Sequence, residues 1–154
     1  MQRLIIPWLL VVAWMVLIFS FSAQPAEQSS SLSGGIVEPI IETIETVVPV
    51  VTIDKEFFHT FIRKNAHFFA YFILGVLSKH AFRRSGVIGM KAGIFAFFLS
   101  VVYAISDEVH QLFVPGRSGE VRDVLIDSAG AFIGIVIYYC LSKLYNRNKA
   151  LSRS

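Results

Sequence analysis

Histidine, arginine and tyrosine side chains recur at every fourth position in the middle of the chain. The series consists of His59, Arg63, His67 and Tyr71. Residues four apart lie on one face of an α-helix, so the series predicts a continuous polar stripe. His67 lies deeper in an apolar run than Arg63, where an ionisable group is costly unless it has a partner. The stripe is a candidate for ligand binding or acid–base chemistry; the structural alternative is ring packing, with Arg63 reaching the lipid headgroups.

A second polar group ends a later apolar run. It comprises Tyr103, Asp107, Glu108, His110 and Gln111. Tyr103, Asp107 and Gln111 share a helical face because they are four residues apart. An Asp-Glu-x-His cluster can bind a divalent cation. Oxygen and nitrogen ligands this close together more often form ion pairs with a nearby arginine, so the sequence predicts no metal and no other cofactor.

A tight turn with a central arginine follows this group. The Pro-Gly pair at positions 115–116 and the glycine at position 119 predict a turn around Arg117. A guanidinium group binds carboxylates and phosphates in bidentate fashion. We therefore expect Arg117 to pair with Asp107 or Glu108, or to bind a phosphate or carboxylate of a ligand.

Two aspartates four residues apart open the last apolar run. Asp123 is explained by a position near a helix N-terminus, where a carboxylate is electrostatically favoured. Asp127 lies one turn deeper, so capping does not account for it. We expect Asp127 to pair with Arg63 or His67.

The amino-acid composition indicates whether the protein folds in water or in a membrane. Of 154 residues, 55% are hydrophobic and 16% are charged, whereas a soluble domain has about 25% charged residues. The single cysteine allows no intramolecular disulfide. The net charge is +3, but the basic residues form short clusters between apolar runs, and no nucleic-acid-binding motif is present. The sequence predicts an integral membrane protein that does not bind nucleic acid.

Four apolar runs predict four membrane spans. Residues 4–22 contain no charge and would form about 28 Å of helix at roughly 1.5 Å per residue; a signal peptide cleaved near Ser22 is the alternative. Residues 65–78 and 92–106 lack charges but are shorter than the roughly 20 residues of a span, so their helices must extend past the flanking charges. The fourth run, residues 124–142, contains a Gly-x-x-x-Gly motif at Gly130 and Gly134, which favours close helix packing within the chain or in a homo-oligomer.

The predicted fold is an all-α membrane protein, a four-helix transmembrane bundle with an extracytoplasmic loop. Residues 24–35 are expected to form a surface loop. Residues 36–51 fit either a short amphipathic helix on the membrane surface or a mobile acidic loop, since Pro39 and Pro49 interrupt them. Nine of the fourteen Lys and Arg residues lie inside if both termini are cytoplasmic, as the positive-inside rule favours. All eleven acidic residues then lie outside.

We divide the chain into three regions. Residues 1–62 contain the first span and the acidic loop, residues 63–142 contain a core of three spans, and residues 143–154 form a basic cytoplasmic tail. The polar groups described above all fall at the outer ends of spans in this arrangement. The sequence thus predicts that they converge at the outer face of the membrane.

Two motifs resemble the VanZ-like family of bacterial membrane proteins. The first is Arg63-Lys64-x-x-His67-Phe68-x-x-Tyr71-x-x-Leu74-Gly75, and the second is Asp107-Glu108-x-x-Gln111-x-Phe113-x-Pro115-Gly116-Arg117, followed by Asp123, Asp127 and Gly130. The resemblance covers about residues 63–134. The family takes its name from a protein that confers low-level resistance to the glycopeptide teicoplanin, so the resemblance implies a role at the outer surface or in cell-envelope chemistry.

Three functional hypotheses follow. The leading hypothesis is an outer-leaflet site for the headgroup of an amphiphile. The amphiphile would be a membrane lipid or a lipid-linked envelope precursor, and the site would contribute to teicoplanin resistance or envelope modification. Its ligand-binding residues are His59, Arg63, Lys64, Tyr71, Gln111, Arg117, Asp123 and Asp127. The second is a membrane-embedded hydrolase or transferase, with His67, Asp107 and Glu108 as catalytic residues. The third is a structural or partner-binding module in which the polar cluster holds the helices in register.

Overall fold

Five α-helices make up the described part of the chain, residues 2–47 and 54–151 of a computed structural model. They are α1 (Gln2–Ser22), α2 (Ala26–Val47), α3 (Lys55–Arg84), α4 (Met90–Gln111) and α5 (Val121–Leu151). The all-α prediction is confirmed. The predicted extension of the two short apolar runs is confirmed as well, since α3 and α4 both continue past their flanking charges.

Among the helices of the described residues, three are long and apolar enough to cross a membrane. They are α1 over Leu4–Ser22, α4 over Met90–Gln111, and α5 over Val121–Lys149. The 30-residue helix α3 is not among them, because Lys64 and Lys79 interrupt its apolar stretch. The first predicted span coincides with the observed one, and its Val11 and Ile18 are buried in the core.

The helix α2 corrects the predicted surface loop. Residues 26–35 belong to this helix, although Ser and Gly are weak helix formers. Packing of one face can override such propensities; α2 packs on α3, and Ile41 of α2 is buried. The predicted amphipathic helix is helical over residues 36–47, and Pro39 lies inside it. The rest of that prediction, residues 48–51, lies outside the described residues.

The helices α1 and α3 run in opposite directions. The indole Nε1 of Trp8, near the start of α1, donates a hydrogen bond to Oγ of Ser85, just beyond the end of α3. The Nε1 of Trp14, further along α1, donates to the carbonyl oxygen of Ala70, in the middle of α3. Positions that increase along α1 therefore meet positions that decrease along α3.

The helices α3 and α5 run parallel and form the most extensive helix pair. Gly130 lies against the backbone carbonyl of Phe68, and Gly134 lies against that of Phe72. A Cβ atom at either glycine would collide with that carbonyl oxygen. The Gly-x-x-x-Gly motif therefore makes a contact within the chain, as small residues do where helix backbones approach closely.

The helix α4 runs parallel to α1, and so opposite to α3 and α5. The Tyr103 hydroxyl of α4 donates a 2.6 Å hydrogen bond to the carbonyl oxygen of Met15 in α1, and His110 stacks on Phe19 further along both helices, with ring centroids 4.4 Å apart. The ends of α1 and α4 consequently meet the beginnings of α3 and α5 at one end of the bundle.

The two ends of the bundle differ in charge. The end just described carries Asp107, Glu108, Glu120, Asp123 and Asp127, and we call it the acidic end. The opposite end carries Lys79, Arg83, Arg84, Lys91 and Lys143, and we call it the basic end. The acidic end also carries Arg63, Lys64 and Arg117, so its charges are mixed, whereas the named residues of the basic end are all cationic.

Candidate functional site

A narrow pocket lies at the acidic end between α3, α5 and the turn after α4. It is lined by Arg63, Lys64, His67, Gln111, Arg117, Asp123, Ile126 and Asp127, and we call it the Arg63 pocket. Its free volume is about 10 Å³, the room for roughly one water molecule. All of its polar lining residues were singled out from the sequence, and Ile126 is the one lining residue that was not.

Ion pairs join α3 to the start of α5 on one wall of the pocket. The Lys64 Nζ atom lies 2.6 Å from Oδ1 of Asp123 and 3.2 Å from Oε2 of Glu120. The Lys64 and Asp123 side chains are both largely shielded from solvent, whereas that of Glu120 is exposed. Lys64 is therefore neutralised by its own neighbours and contributes little free positive charge to the pocket.

A histidine–aspartate pair lies one helical turn deeper. The Nδ1 atom of His67 is 3.6 Å from Oδ2 of Asp127, whose side chain is fully buried. Of the two partners expected for this aspartate, the structure places His67 beside it. Neither carboxylate oxygen of Asp127 has a hydrogen bond from any described residue. His67 is therefore the nearest polar partner of the buried Asp127 carboxyl group.

Arg117 contacts backbone carbonyls instead of the expected carboxylates. Its Nε atom donates a 2.9 Å hydrogen bond to the carbonyl oxygen of Gln24, and its Nη2 atom lies 3.4 Å from that of Phe21. The predicted ion pair with Asp107 or Glu108 is not formed. The reason is that the last carbonyls of a helix lack intrahelical partners and attract a cation, and the turn places Arg117 against the end of α1.

Arg63 and Arg117 bring two positive charges to the same pocket. Within the described part of the chain, the Arg63 guanidinium makes no hydrogen bond or ion pair, although it lines the pocket. Burial and, secondly, the nearby charge of Arg63 lower the pKa of Arg117. Like charges at close range are unfavourable unless an anion lies between them. Asp107 and Glu108 act on the pKa of Arg117 in the opposite direction, and Asp123 and Asp127 also line the pocket. The pocket therefore combines positive and negative side chains.

Asp107 lies behind the pocket and is held by a residue that the sequence did not point to. The Ser22 hydroxyl donates a 3.0 Å hydrogen bond to Oδ2 of Asp107, and both residues are buried. Oδ1 of Asp107 has no hydrogen-bond partner among the described residues. From the sequence, Ser22 was considered only as a position of signal-peptide cleavage. It ends the first apolar run as Asp107 ends a later one, and this shared position could have indicated the contact.

Glu108 anchors the turn to the start of α5. Its Oε2 atom accepts a 2.8 Å hydrogen bond from the backbone N–H of Glu120, and its Oε1 atom lies 3.3 Å from Nε2 of Gln111. A Cβ atom at Gly119 would lie 2.7 Å from the carbonyl oxygen of Glu108. Only glycine therefore fits where the turn crosses α4.

Two residues of the predicted polar stripe lie away from the pocket. Tyr71 is completely buried in the apolar core with Leu74, and its hydroxyl has no hydrogen-bond partner among the described residues. His59 lies beside α2, where a Cβ atom at Gly34 would be 3.9 Å from its Cε1 atom. Within the described ranges, no three His, Cys, Asp or Glu side chains come together as metal ligands.

The helical fold, its apolar spans and its internal polar cluster define an integral membrane protein. The family model described as VanZ/LLP1 matches residues 7–142. This match covers most of the chain, and the protein therefore belongs to the VanZ/LLP1 family, as its two motifs suggested.

A relative in Bacillus subtilis (strain 168) has a related sequence. The "Uncharacterized membrane protein YwnJ" of that bacterium is 39% identical to this chain over 89 residues, which is 58% of this chain and 54% of the relative. The aligned region thus spans about half the length of that protein. No solved structure matches the chain.

Proposed function

We propose that the chain crosses the membrane four times, with α3 as the fourth span and the acidic end outside. The 30 residues of α3 form a rod of about 45 Å at roughly 1.5 Å per residue, longer than the hydrocarbon core. It lies beside α5 and runs in the same direction. The excess of Lys and Arg at the basic end supports a cytoplasmic position for that end, and with it two cytoplasmic termini.

We further propose that the Arg63 pocket binds the anionic headgroup of an amphiphile in the outer leaflet. One observation carries this proposal: Arg63 and Arg117 line the same pocket, and neither is paired with a carboxylate. A phosphate or carboxylate bound between them would relieve their repulsion and form charge-assisted hydrogen bonds. The ion pairs of Lys64 and His67 would keep the walls of the pocket in place.

The size of the pocket indicates how the headgroup would bind. A free volume of about 10 Å³ is too small to enclose a phosphate, so the headgroup would bind at the mouth, against the guanidinium groups. The acyl chains would lie along exposed apolar side chains nearby, such as Phe61 of α3 and Leu125 of α5. This arrangement suits a membrane lipid or a lipid-linked envelope precursor, which already resides in the bilayer.

The proposed cellular role is in the cell envelope. A protein that binds a lipid or wall precursor at the outer surface could change the target available to a lipid-anchored glycopeptide such as teicoplanin. We expect cells that express the protein to lose any gain in teicoplanin resistance when Arg63 is replaced by Gln. If the Arg63→Gln variant still confers resistance at an equal protein level, the resistance does not depend on the Arg63 pocket.

The binding proposal is tested with the purified full-length protein and phosphatidylglycerol as the probe. Arg63→Gln removes a charge that no described residue uses, so the fold should be retained. We expect it to weaken lipid binding about tenfold, or about 1.4 kcal/mol, as measured by native mass spectrometry. The matched control is Arg122→Gln, an exposed arginine at the same end of α5. Equal binding by both variants would contradict the proposal.

A second candidate function is a membrane-embedded hydrolase or transferase. It is favoured by the His67–Asp127 pair, since an aspartate beside an imidazole is the arrangement that orients a general base. Arg63 and Arg117 would then stabilise an anionic transition state. Mass spectrometry of envelope lipids from cells carrying wild type or His67→Gln separates the candidates. A covalently altered lipid that disappears with the variant favours catalysis, and identical lipids favour binding alone.

A further inference from the structure

A second pocket opens at the basic end of the bundle. It has a volume of about 250 Å³ and lies between the end of α3, the start of α4 and the later part of α5. Three cationic side chains line it, namely Lys79, Arg83 and Lys143. We call it the Lys79 pocket. It is separate from the Arg63 pocket and shares no lining residue with it.

Lys79 is the most deeply placed cation of this pocket. This residue is only 4% exposed to solvent. The Nζ atom donates a 3.2 Å hydrogen bond to the carbonyl oxygen of Ile135 and lies 4.9 Å from the ring centroid of Tyr139. A carbonyl and an aromatic face stabilise an ammonium group only in part. A buried charge of this kind normally has a counter-ion.

The described residues place no carboxylate in this pocket. None of its lining residues is acidic. The sequence contains no Asp or Glu in residues 57–106 or in residues 128–154, which include all the residues that line the pocket. Lys79, Arg83 and Lys143 therefore share the pocket without an acidic partner among the residues that line it.

The N-terminus of α4 adds to the positive potential. Gly89 precedes this helix with φ of 66° and lines the pocket, and the N-cap makes no side-chain capping hydrogen bond. The first N–H groups of a helix lack intrahelical acceptors and attract anions. The Ser142 hydroxyl also lines the pocket, but it donates a 2.9 Å hydrogen bond to the carbonyl oxygen of Tyr139. The donors available to a phosphate group are therefore the cations and the free helix end.

We propose that the Lys79 pocket binds the phosphate of an anionic phospholipid headgroup in the leaflet at the basic end. Basic pockets between membrane helices at the cytoplasmic side recognise such headgroups. This site goes beyond the Arg63 pocket and does not depend on it. The assignment of a leaflet depends on the proposed orientation, but the phosphate site itself does not.

The test uses the full-length protein in detergent and phosphatidylglycerol as the probe, with native mass spectrometry as the readout. We expect Lys143→Gln and Arg83→Gln each to weaken binding of one lipid molecule about tenfold. The matched controls are Arg147→Gln, one turn further along α5, and Arg84→Gln, an exposed neighbour on α3. Both controls should bind lipid as the wild type does. If pocket variants and controls retain the lipid equally, or lose it equally, the proposal is overturned.

Competition with inorganic phosphate distinguishes two ligands that both carry a phosphate group, a phospholipid and a soluble phosphate compound. Displacement of the lipid by millimolar phosphate would identify a soluble phosphate compound as the ligand. Retention of the lipid would identify the headgroup together with its acyl chains. The Arg63→Gln variant removes any contribution of the Arg63 pocket to lipid binding. A further loss of bound lipid when Lys143→Gln is added to Arg63→Gln would therefore support the Lys79 pocket even if the outer-leaflet proposal failed.

Discussion

At the scale of single residues, the acidic end is notable for carboxylates with few partners. Asp107 is held by the Ser22 hydroxyl and Asp127 by the ring of His67. One carboxylate oxygen of Asp107 and both carboxylate oxygens of Asp127 have no hydrogen bond from the described residues. Leaving a buried acceptor unsatisfied costs about 1 to 3 kcal/mol. Each remaining partner should therefore matter more than a typical surface contact.

The Ser22–Asp107 contact gives a prediction at this scale. Ser22→Ala should lower the free energy of unfolding by about 1 to 3 kcal/mol, because Oδ2 of Asp107 loses its donor. Thermal unfolding of the detergent-solubilised protein measures the effect. The control is Ser20→Ala in the same helix, where the exposed hydroxyl donates only to the Val16 carbonyl of its own helix. A Ser22→Ala variant as stable as the control would refute this account of Asp107.

The prediction also bears on the hypothesis that the cluster only holds the helices in register. The Ser22–Asp107 hydrogen bond joins α1 to α4, and the Lys64–Asp123 ion pair joins α3 to α5. Arg63 makes no such link within the described residues. Loss of stability is therefore expected for Ser22→Ala but not for Arg63→Gln. This difference separates structural residues from those available to a ligand.

At the scale of helices, the parallel pair of α3 and α5 organises the molecule. Its close approach depends on small residues, since Gly130 and Gly134 meet the carbonyls of Phe68 and Phe72. The same contact sets the register that places His67 beside Asp127 one turn away. The packing of these helices and the geometry of the Arg63 pocket are therefore coupled. Gly130 and Gly134 are engaged with α3 and are not available to pair with a second copy of the chain.

Substitution of these glycines gives a prediction at this scale. Gly130→Ala should destabilise the fold by about 1 to 3 kcal/mol, because the added methyl group forces α3 and α5 apart. It should also weaken phosphatidylglycerol binding at the Arg63 pocket. Gly35→Ala in α2 is the control, since a Cβ atom there meets no atom within 4 Å. Thermal unfolding and native mass spectrometry report the two effects, and an unchanged Gly130→Ala variant would contradict the role assigned to this contact.

At the scale of the whole molecule, the two ends differ in charge: the acidic end mixes acidic and basic side chains, and the basic end carries a cluster of cations. The acidic end holds the Arg63 pocket and the basic end holds the Lys79 pocket. With the basic end in the cytoplasm, the two pockets would face opposite leaflets. The proposed orientation thus decides which lipids each pocket could meet.

Accessibility to an impermeant maleimide in intact cells tests this orientation. Cys140 is exposed and is first replaced by Ser, so that each single cysteine reports alone. Ser118→Cys lies in the turn at the acidic end and should react from outside. Ile88→Cys and Asn148→Cys lie at the basic end and should react only after permeabilisation. Gly119 is unsuitable for a label because a side chain there would collide with Glu108.

The pattern of labelling tests the number of spans, the orientation and the crossing of α5 separately. Reaction of all three cysteines from outside would refute the four-span arrangement. Reaction of Ile88→Cys and Asn148→Cys, with Ser118→Cys protected, would invert the orientation and place the Arg63 pocket in the cytoplasmic leaflet. Protection of Ser118→Cys and Asn148→Cys together would contradict the crossing of α5.

Local patterns in the sequence determined the helical class, the apolar runs and the polar residues of the Arg63 pocket. Lipid-compatible composition and four-residue spacing depend only on neighbours along the chain, so Arg63 and His67 could be recognised without a fold. The helix at residues 26–35 was missed because packing on α3, not intrinsic propensity, stabilises it.

The sequence narrowed the partner of Asp127 to Arg63 or His67, but the other contacts between residues distant in the chain followed only from the tertiary structure. The contacts of Arg117 with Gln24 and of Asp107 with Ser22 join residues about 90 positions apart, and such contacts depend on helix direction and register. The same holds for the convergence of Lys79, Arg83 and Lys143 on one pocket. Spacing in the sequence tells which side chains share a helical face, but only the packing of the helices tells which faces meet.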